Sequence, residues 1–135
     1  MTDCIFCKII QGSIPCEKVY EDDQFLAFLD IKPATKGHML IIPKDHSVDC
    51  TQMDPELGAS FFRIVNRLIE AAKKGLGAKG CNLGSNIGAP SGQEVFHTHF
   101  HLIPRYDANE LSHWPRQESS QAEQVIIAEK IIASQ

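Results

Sequence analysis

The sequence predicts an α+β fold built on a mainly antiparallel sheet. Two observations carry this. The strand-like segments are short and closed by prolines or acidic turns, and one long amphipathic stretch lies among them at residues 54–75. Strands that cluster around a single long helix favour an antiparallel sheet over alternating parallel units. No internal repeat or low-complexity tract breaks the pattern.

Taken in order, Cys4 to Gln11 supplies one or two helical turns, with Gly12 as a stop. Lys18 to Asp30 carries β-branched and aromatic residues around the turn Glu21-Asp22-Asp23 and reads as a hairpin. Gly37 to Ile42 is a short apolar run closed by Pro43, which favours a buried strand. A helix should start at Asp54-Pro55, where the carboxylate caps free N–H groups and proline has none to leave unpaired. Leu57, Phe61, Ile64, Leu68 and Ala72 form its apolar stripe. Lys73 and Lys74 suit the negative end of the dipole, and Gly75 should end the helix. Cys81 to Asn86 reads as a strand, Gly88 to Gly92 as a loop, and Val95 to Ile103 as a strand closed by Pro104. Ser120 and Glu123 form a capping box ahead of Val125, Ile126, Ala128, Lys130 and Ile131. That helix is expected to pack on something, such as a partner subunit.

The 135 residues suffice for one domain, expected as a body over 1–107 with a helix-bearing tail over 108–135 in the same unit. Thirteen basic residues against 17 acidic ones give a formal charge of −4, the wrong sign for a nucleic-acid binder. No apolar run approaches the roughly 20 residues needed to span a bilayer, so no membrane partner is expected. Met1-Thr2-Asp3-Cys4 lacks the basic and apolar regions of a secretory signal. A cytoplasmic protein with reduced or metal-bound cysteines is the expectation.

Half of the six histidines fall in His97-Thr98-His99-Phe100-His101. On a strand, alternate side chains share a face at about 6.5–7 Å spacing, so the three imidazoles line up while Thr98, Phe100 and Leu102 face the other way. Such a row is open to three readings: a solvated cluster, a metal site, or nucleophilic catalysis by an imidazole that is neutral at cell pH. Asn86, Gly88, Ser91 and Gly92 just ahead of it supply the N–H groups of a phosphate-holding nest, which favours nucleophilic catalysis at phosphorus.

The run His97 to Ile103 resembles the His-φ-His-φ-His-φ-φ motif of the histidine triad superfamily, with Thr98 as the one imperfect φ. Ile5 to Ile10, Leu26 to Ile31 with Pro33, Gly37-His38, Ile41 to Lys44 with His46, and Gly92-Gln93 are similar to its Hint-like branch. The likeness covers residues 4–106. It implies a five-stranded antiparallel sheet, extended to ten strands across a homodimer. It also implies hydrolysis or transfer at the α-phosphate of purine nucleoside phosphoramidates or nucleotidyl adducts. His99 would be the nucleophile, His101 would assist at phosphate and leaving group, and His97 and His38 would orient the site. Asn86, Gly92, Gln93 and Glu94 match positions around phosphate, although a carboxylate at Glu94 would repel it unless turned away. Asp30 matches the ribose acceptor, and Phe6, Ile9, Phe28, Leu29 and Ile31 the base pocket, for which core packing is the competing reading. Hydrolysis of dinucleoside polyphosphates, a nucleotide-binding regulatory module, and a zinc hydrolase built on all three histidines are the alternatives.

Cys4-Ile5-Phe6-Cys7 is a Cys-x-x-Cys pair, compatible with redox chemistry, simple burial or structural zinc. Similarity to bacterial-type triad proteins implies the set Cys4, Cys7, His46 and His97, holding one structural zinc per subunit with no metal in the chemical step. Cys16, Cys50 and Cys81 are expected to be buried, and Trp114 is read as a turn anchor or a cross-subunit contact.

Overall fold

The computed structural model describes residues 3–135. Five strands form one antiparallel sheet in the order β1-β2-β3-β5-β4: β1 Lys18–Glu21, β2 Phe25–Leu29, β3 Met39–Pro43, β4 Gly80–Gly84 and β5 Phe100–Arg105. The hairpin expected at residues 18–30 is β1 and β2. Its turn is tied by Asp22, whose carboxylate accepts from the N–H groups of Gln24 and Phe25.

Helix α1 (Ile5–Ile10) lies ahead of the sheet, and α2 (Gly58–Leu76) connects β3 to β4. Asp54 caps a short tight turn at Pro55–Leu57 before α2 proper begins. The expected stop at Gly75 falls two residues early. The helix runs through Gly75 to Leu76, and Gly77 ends it at φ +75°, a left-handed conformation that a residue without Cβ adopts cheaply.

Each face of the sheet has its own core. Phe25, Ala27, Met39, Ile41 and Leu102 meet Phe61, Ile64, Val65, Leu68 and Ala72 of α2 on one side. Leu26, Phe28, Leu40 and Ile42 meet Phe6 of α1 on the other. The period of two along β2 and β3 thus sorts consecutive apolar residues into two cores.

The strand expected from Val95 begins only at Phe100. The β3–β5 register runs Met39↔Leu102, Leu40↔His101 and Ile41↔Phe100, and its continuation would set Pro43 opposite Thr98. Pro43 has no N–H to give, and its carbonyl is taken by the His97 ring, so the ladder stops short. Alternation still holds in part: Phe100 packs on Phe61 and Leu102 joins the α2 core, away from the histidines.

Helix α3 (Gln121–Ala133) starts with the expected capping box of Ser120 and Glu123. Every residue of α3 is exposed, so the packing expected of it is not made within the chain.

Candidate active site

Two clusters of metal-binding side-chain types occur among the described residues, one at each end of the triad. At the first, α1 brings Cys4 and Cys7 under the start of the triad. Cys4 also caps its own helix, its sulfur accepting from the Cys7 N–H. His97 Nδ1 lies 3.5 Å from Cys4 Sγ and 3.6 Å from Cys7 Sγ, while His46 Nδ1 lies 3.4 Å from Cys7 Sγ and 3.1 Å from His97 Nδ1. Tetrahedral zinc with bonds of about 2.3 Å to sulfur and 2.0–2.1 Å to nitrogen needs donor separations of about 3.5 Å for N···S and 3.3 Å for N···N. The four residues fit that group. His97 Nε2 donates to Pro43 O at 2.8 Å, which leaves Nδ1 as a lone-pair donor toward the sulfurs. Burial, aided by the adjacent Cys4, pushes the Cys7 thiol up, and burial pushes His97 down.

At the other end, hydrogen-bond partners fix a chain of tautomers. The Ala34 N–H donates to His38 Nδ1 at 3.0 Å, so His38 carries its proton on Nε2. That Nε2 lies 2.9 Å from His101 Nδ1, which must accept, leaving the His101 proton on Nε2. Asp30 Oδ2 approaches His38 Nε2 at 3.7 Å and favours its cation, but burial outweighs it and His38 is lowered. Burial first, then the neighbouring His99 and His38, brings His101 from 6.5 to about 4. Both rings are therefore neutral near pH 7.

Between the clusters, His99 Nδ1 donates to His97 O at 2.8 Å, so its Nε2 bears the free lone pair. The His99 ring stands edge-on to Phe6 at 5.2 Å and to His101 at 5.1 Å between centroids. Ser85 Oγ donates to His99 O at 2.7 Å and pins its backbone. This arrangement offers an imidazole nucleophile beside a neutral imidazole whose N–H is preset as a donor.

His38, His101 and Asn86 line a cavity of about 760 Å³ together with Asn82, Arg105 and the segment Leu111 to Arg116. The volume lies in the range of small-molecule sites. Of the expected base-pocket residues, Phe6 and Phe28 are buried against each other in the core, and Phe6 also stands against the His99 ring. Ile9 is half-buried, Leu29 is on the exposed side of β2, and Ile31 is 91% exposed. Gln93 is buried with its amide committed to backbone: it accepts from Gly88 N and donates to Val48 O and Val95 O. Gly92 and Glu94 are exposed. Cys16, Cys50 and Cys81, expected to be buried, are only half-buried: Cys16 and Cys81 sit at the margins of the two cores, and Cys50 lies in the segment after β3, outside both. Trp114 is 91% exposed while bordering the cavity. The reading from sequence missed Ser47, Ser85 and the backbone groups of Ala34 and Pro43. Only Thr98, a hydroxyl in a slot patterned for apolar residues, carried a signal.

The family model described as the HIT domain matches residues 11–108. The chain belongs to the HIT family, the histidine triad proteins. Among curated relatives, this HIT protein is 47% identical over 103 residues to Adenylylsulfatase HINT3 of Arabidopsis thaliana, covering 76% of this chain and 52% of that protein. Among solved structures, it matches a Streptococcus mutans protein with a TM-score of 0.90 at 41% identity, over 99% of this chain and 86% of the other. A Zn-bound histidine triad family protein from Mycobacterium smegmatis matches at 0.77 and 36% identity, over 99% of both chains. A histidine triad nucleotide-binding protein from Candida albicans matches at 0.84 and 33% identity, over 98% and 96%. The five-stranded sheet implied by the resemblance is thus the fold of the family.

Proposed function

We propose that this HIT protein cleaves nucleotidyl adducts at the α-phosphate through a covalent nucleotidyl-histidine. The observation that carries the reading is the tautomer of His99, whose Nδ1–H is spent on the His97 carbonyl so that Nε2 is left free to attack. The relatives support the substrate class: one is named an adenylylsulfatase and another a nucleotide-binding protein. In the first step His99 Nε2 forms a bond to phosphorus and the bond to the leaving group breaks. The leaving group departs with the electron pair while accepting a hydrogen bond from His101 Nε2. The imidazolium character of the adduct is offset by the His97 carbonyl that keeps Nδ1–H. Water then attacks phosphorus, His99 leaves as the neutral ring, and a nucleoside monophosphate and a proton are released.

His38 holds the proton of His101 on the correct nitrogen, Asp30 is placed to accept ribose hydroxyls, and Asn86 contacts phosphate. Gly92, Gln93 and Glu94 border that phosphate, while Ile9, Leu29 and Ile31 form the purine side, backed by the buried Phe6 and Phe28. Cys4, Cys7, His46 and His97 hold one zinc per chain. With four protein ligands no position would be left for water, and a bound ion would act as a staple between α1 and the triad. The working unit is a cytoplasmic homodimer; the exposed Val125, Ile126, Ile127, Ile131 and Ile132 of α3 support the dimer, since so many apolar side chains on one helix need cover.

Turnover of an adenosine phosphoramidate, adenylyl sulfate and a diadenosine polyphosphate tests the proposal. The nucleoside monophosphate should appear from the first two at rates at least about tenfold above the third. Preference for the polyphosphate would transfer the chain to dinucleoside polyphosphate hydrolysis.

A further inference from the structure

His97, Thr98 and His99 lie outside the sheet ladder, which begins at Phe100, so something other than strand pairing must hold them. The structure shows what does. Thr98 is fully buried, and its N–H donates to Ser47 O at 2.7 Å. Its hydroxyl donates to the same carbonyl at 3.2 Å, and Ser47 Oγ lies 2.6 Å from Thr98 Oγ1. If the Thr98 hydroxyl donates to Ser47 O, then Ser47 Oγ–H donates to Thr98 Oγ1, and each hydroxyl proton has a partner.

The peptide unit that donates this N–H is the one whose carbonyl belongs to His97. A peptide unit is planar, with N–H and C=O pointing in opposite directions. Fixing the Thr98 N–H on Ser47 therefore fixes the direction of the His97 C=O, and that oxygen accepts the Nδ1–H of His99 at 2.8 Å. An uninterrupted line runs from Ser47 through one rigid peptide to the ring of His99. Ser47 directly follows His46, so the same clasp brings the segment after β3 onto the triad without requiring any metal.

We propose that Thr98, held by Ser47, is a positioning residue that selects the His99 tautomer and aims its Nε2. The consequence for catalysis rests on the reading of His99 as the nucleophile, whereas the tautomer itself does not. Both test variants keep the backbone N–H and carbonyl and remove the hydroxyl contacts that hold them in register: Thr98→Val keeps shape and removes two hydrogen bonds, and Ser47→Ala, at a half-buried position, removes one and keeps the test open should the first variant fold poorly.

The experiment combines ring-nitrogen NMR of 15N-histidine-labelled protein with rapid-quench adduct formation on adenosine phosphoramidate. The wild type should show His99 as the Nδ1–H tautomer alone. Both variants should show a mixture with the Nε2–H form and KM within about twofold, with a rate of adduct formation lower by about tenfold in Ser47→Ala, the usual effect of one lost hydrogen bond, and by at least that much in Thr98→Val. Thr98→Ser should restore tautomer and rate. An unchanged tautomer in both variants, or no rescue by serine, overturns the proposal. A shifted tautomer with an unchanged adduct rate upholds the positioning and instead overturns His99 as nucleophile.

Discussion

Three imidazoles of the site have one ring nitrogen tied to the backbone: His97 to Pro43 O, His99 to His97 O and His38 to Ala34 N–H. The fourth, His101, is set by His38. Such ties decide which ring nitrogen carries the proton and which keeps its lone pair, and similar residues without them would be interchangeable. They also have a cost in acid. His101 titrates at about 4 in the fold against 6.5 for an ordinary imidazole, so the unfolded chain takes up its proton first as the pH falls. Its contribution to stability is complete above about pH 6.5 and is lost as the pH drops through about 4. Urea unfolding across that window should therefore show stability falling toward acid, with a shallower fall in His101→Asn. An equally steep fall in the variant would contradict the assignment.

At the scale of elements, the connection into β3 is the tightest fit. Gly37 has φ +85°, and a Cβ there would lie 2.5 Å from Leu76 Cδ1 at the end of α2. Gly37→Ala should destabilise by about 1–2 kcal/mol from backbone strain alone, read by urea unfolding. It should also disturb its neighbour His38, lowering activity more than stability requires. The hairpin, the apolar β3, the α2 stripe and the capping box of α3 were all legible in the sequence, because local patterning decides them. The start of β5 was not. Val95 to His99 has strand-forming residues, but whether they pair depends on Pro43 in another strand and on His97 competing for its carbonyl. The four-ligand cluster was legible only through family likeness. Its parts come from α1, the segment after β3 and the triad, and spacing within one segment cannot place the others.

At the scale of the molecule, the described residues contain no helix long and apolar enough to cross a membrane. The two cores lie on opposite faces of one sheet, and α1 is held to its face by Phe6 and by the Cys4–Cys7–His46–His97 cluster. Purified protein should carry about one zinc per chain by metal analysis, and Cys4→Ser or His46→Ala should lose most of it. Chelation should lower Tm by several degrees and release α1, seen as faster amide exchange over residues 5–10, because the staple acts on that helix. Zinc content unchanged in both variants would move the site elsewhere. Light scattering should give the mass of a dimer, and truncation after Glu118 should shift it toward the monomer if α3 supplies the cover.

In the proposed reaction the free Nε2 of His99 attacks phosphorus. Rapid quenching of the protein with an α-labelled adenosine phosphoramidate, followed by peptide mapping, measures this directly. Acid-labile label should appear on His99 within one turnover, and His99→Ala should show no label and at least about a thousandfold slower turnover. Label on another residue, or full hydrolysis by His99→Ala, would contradict it.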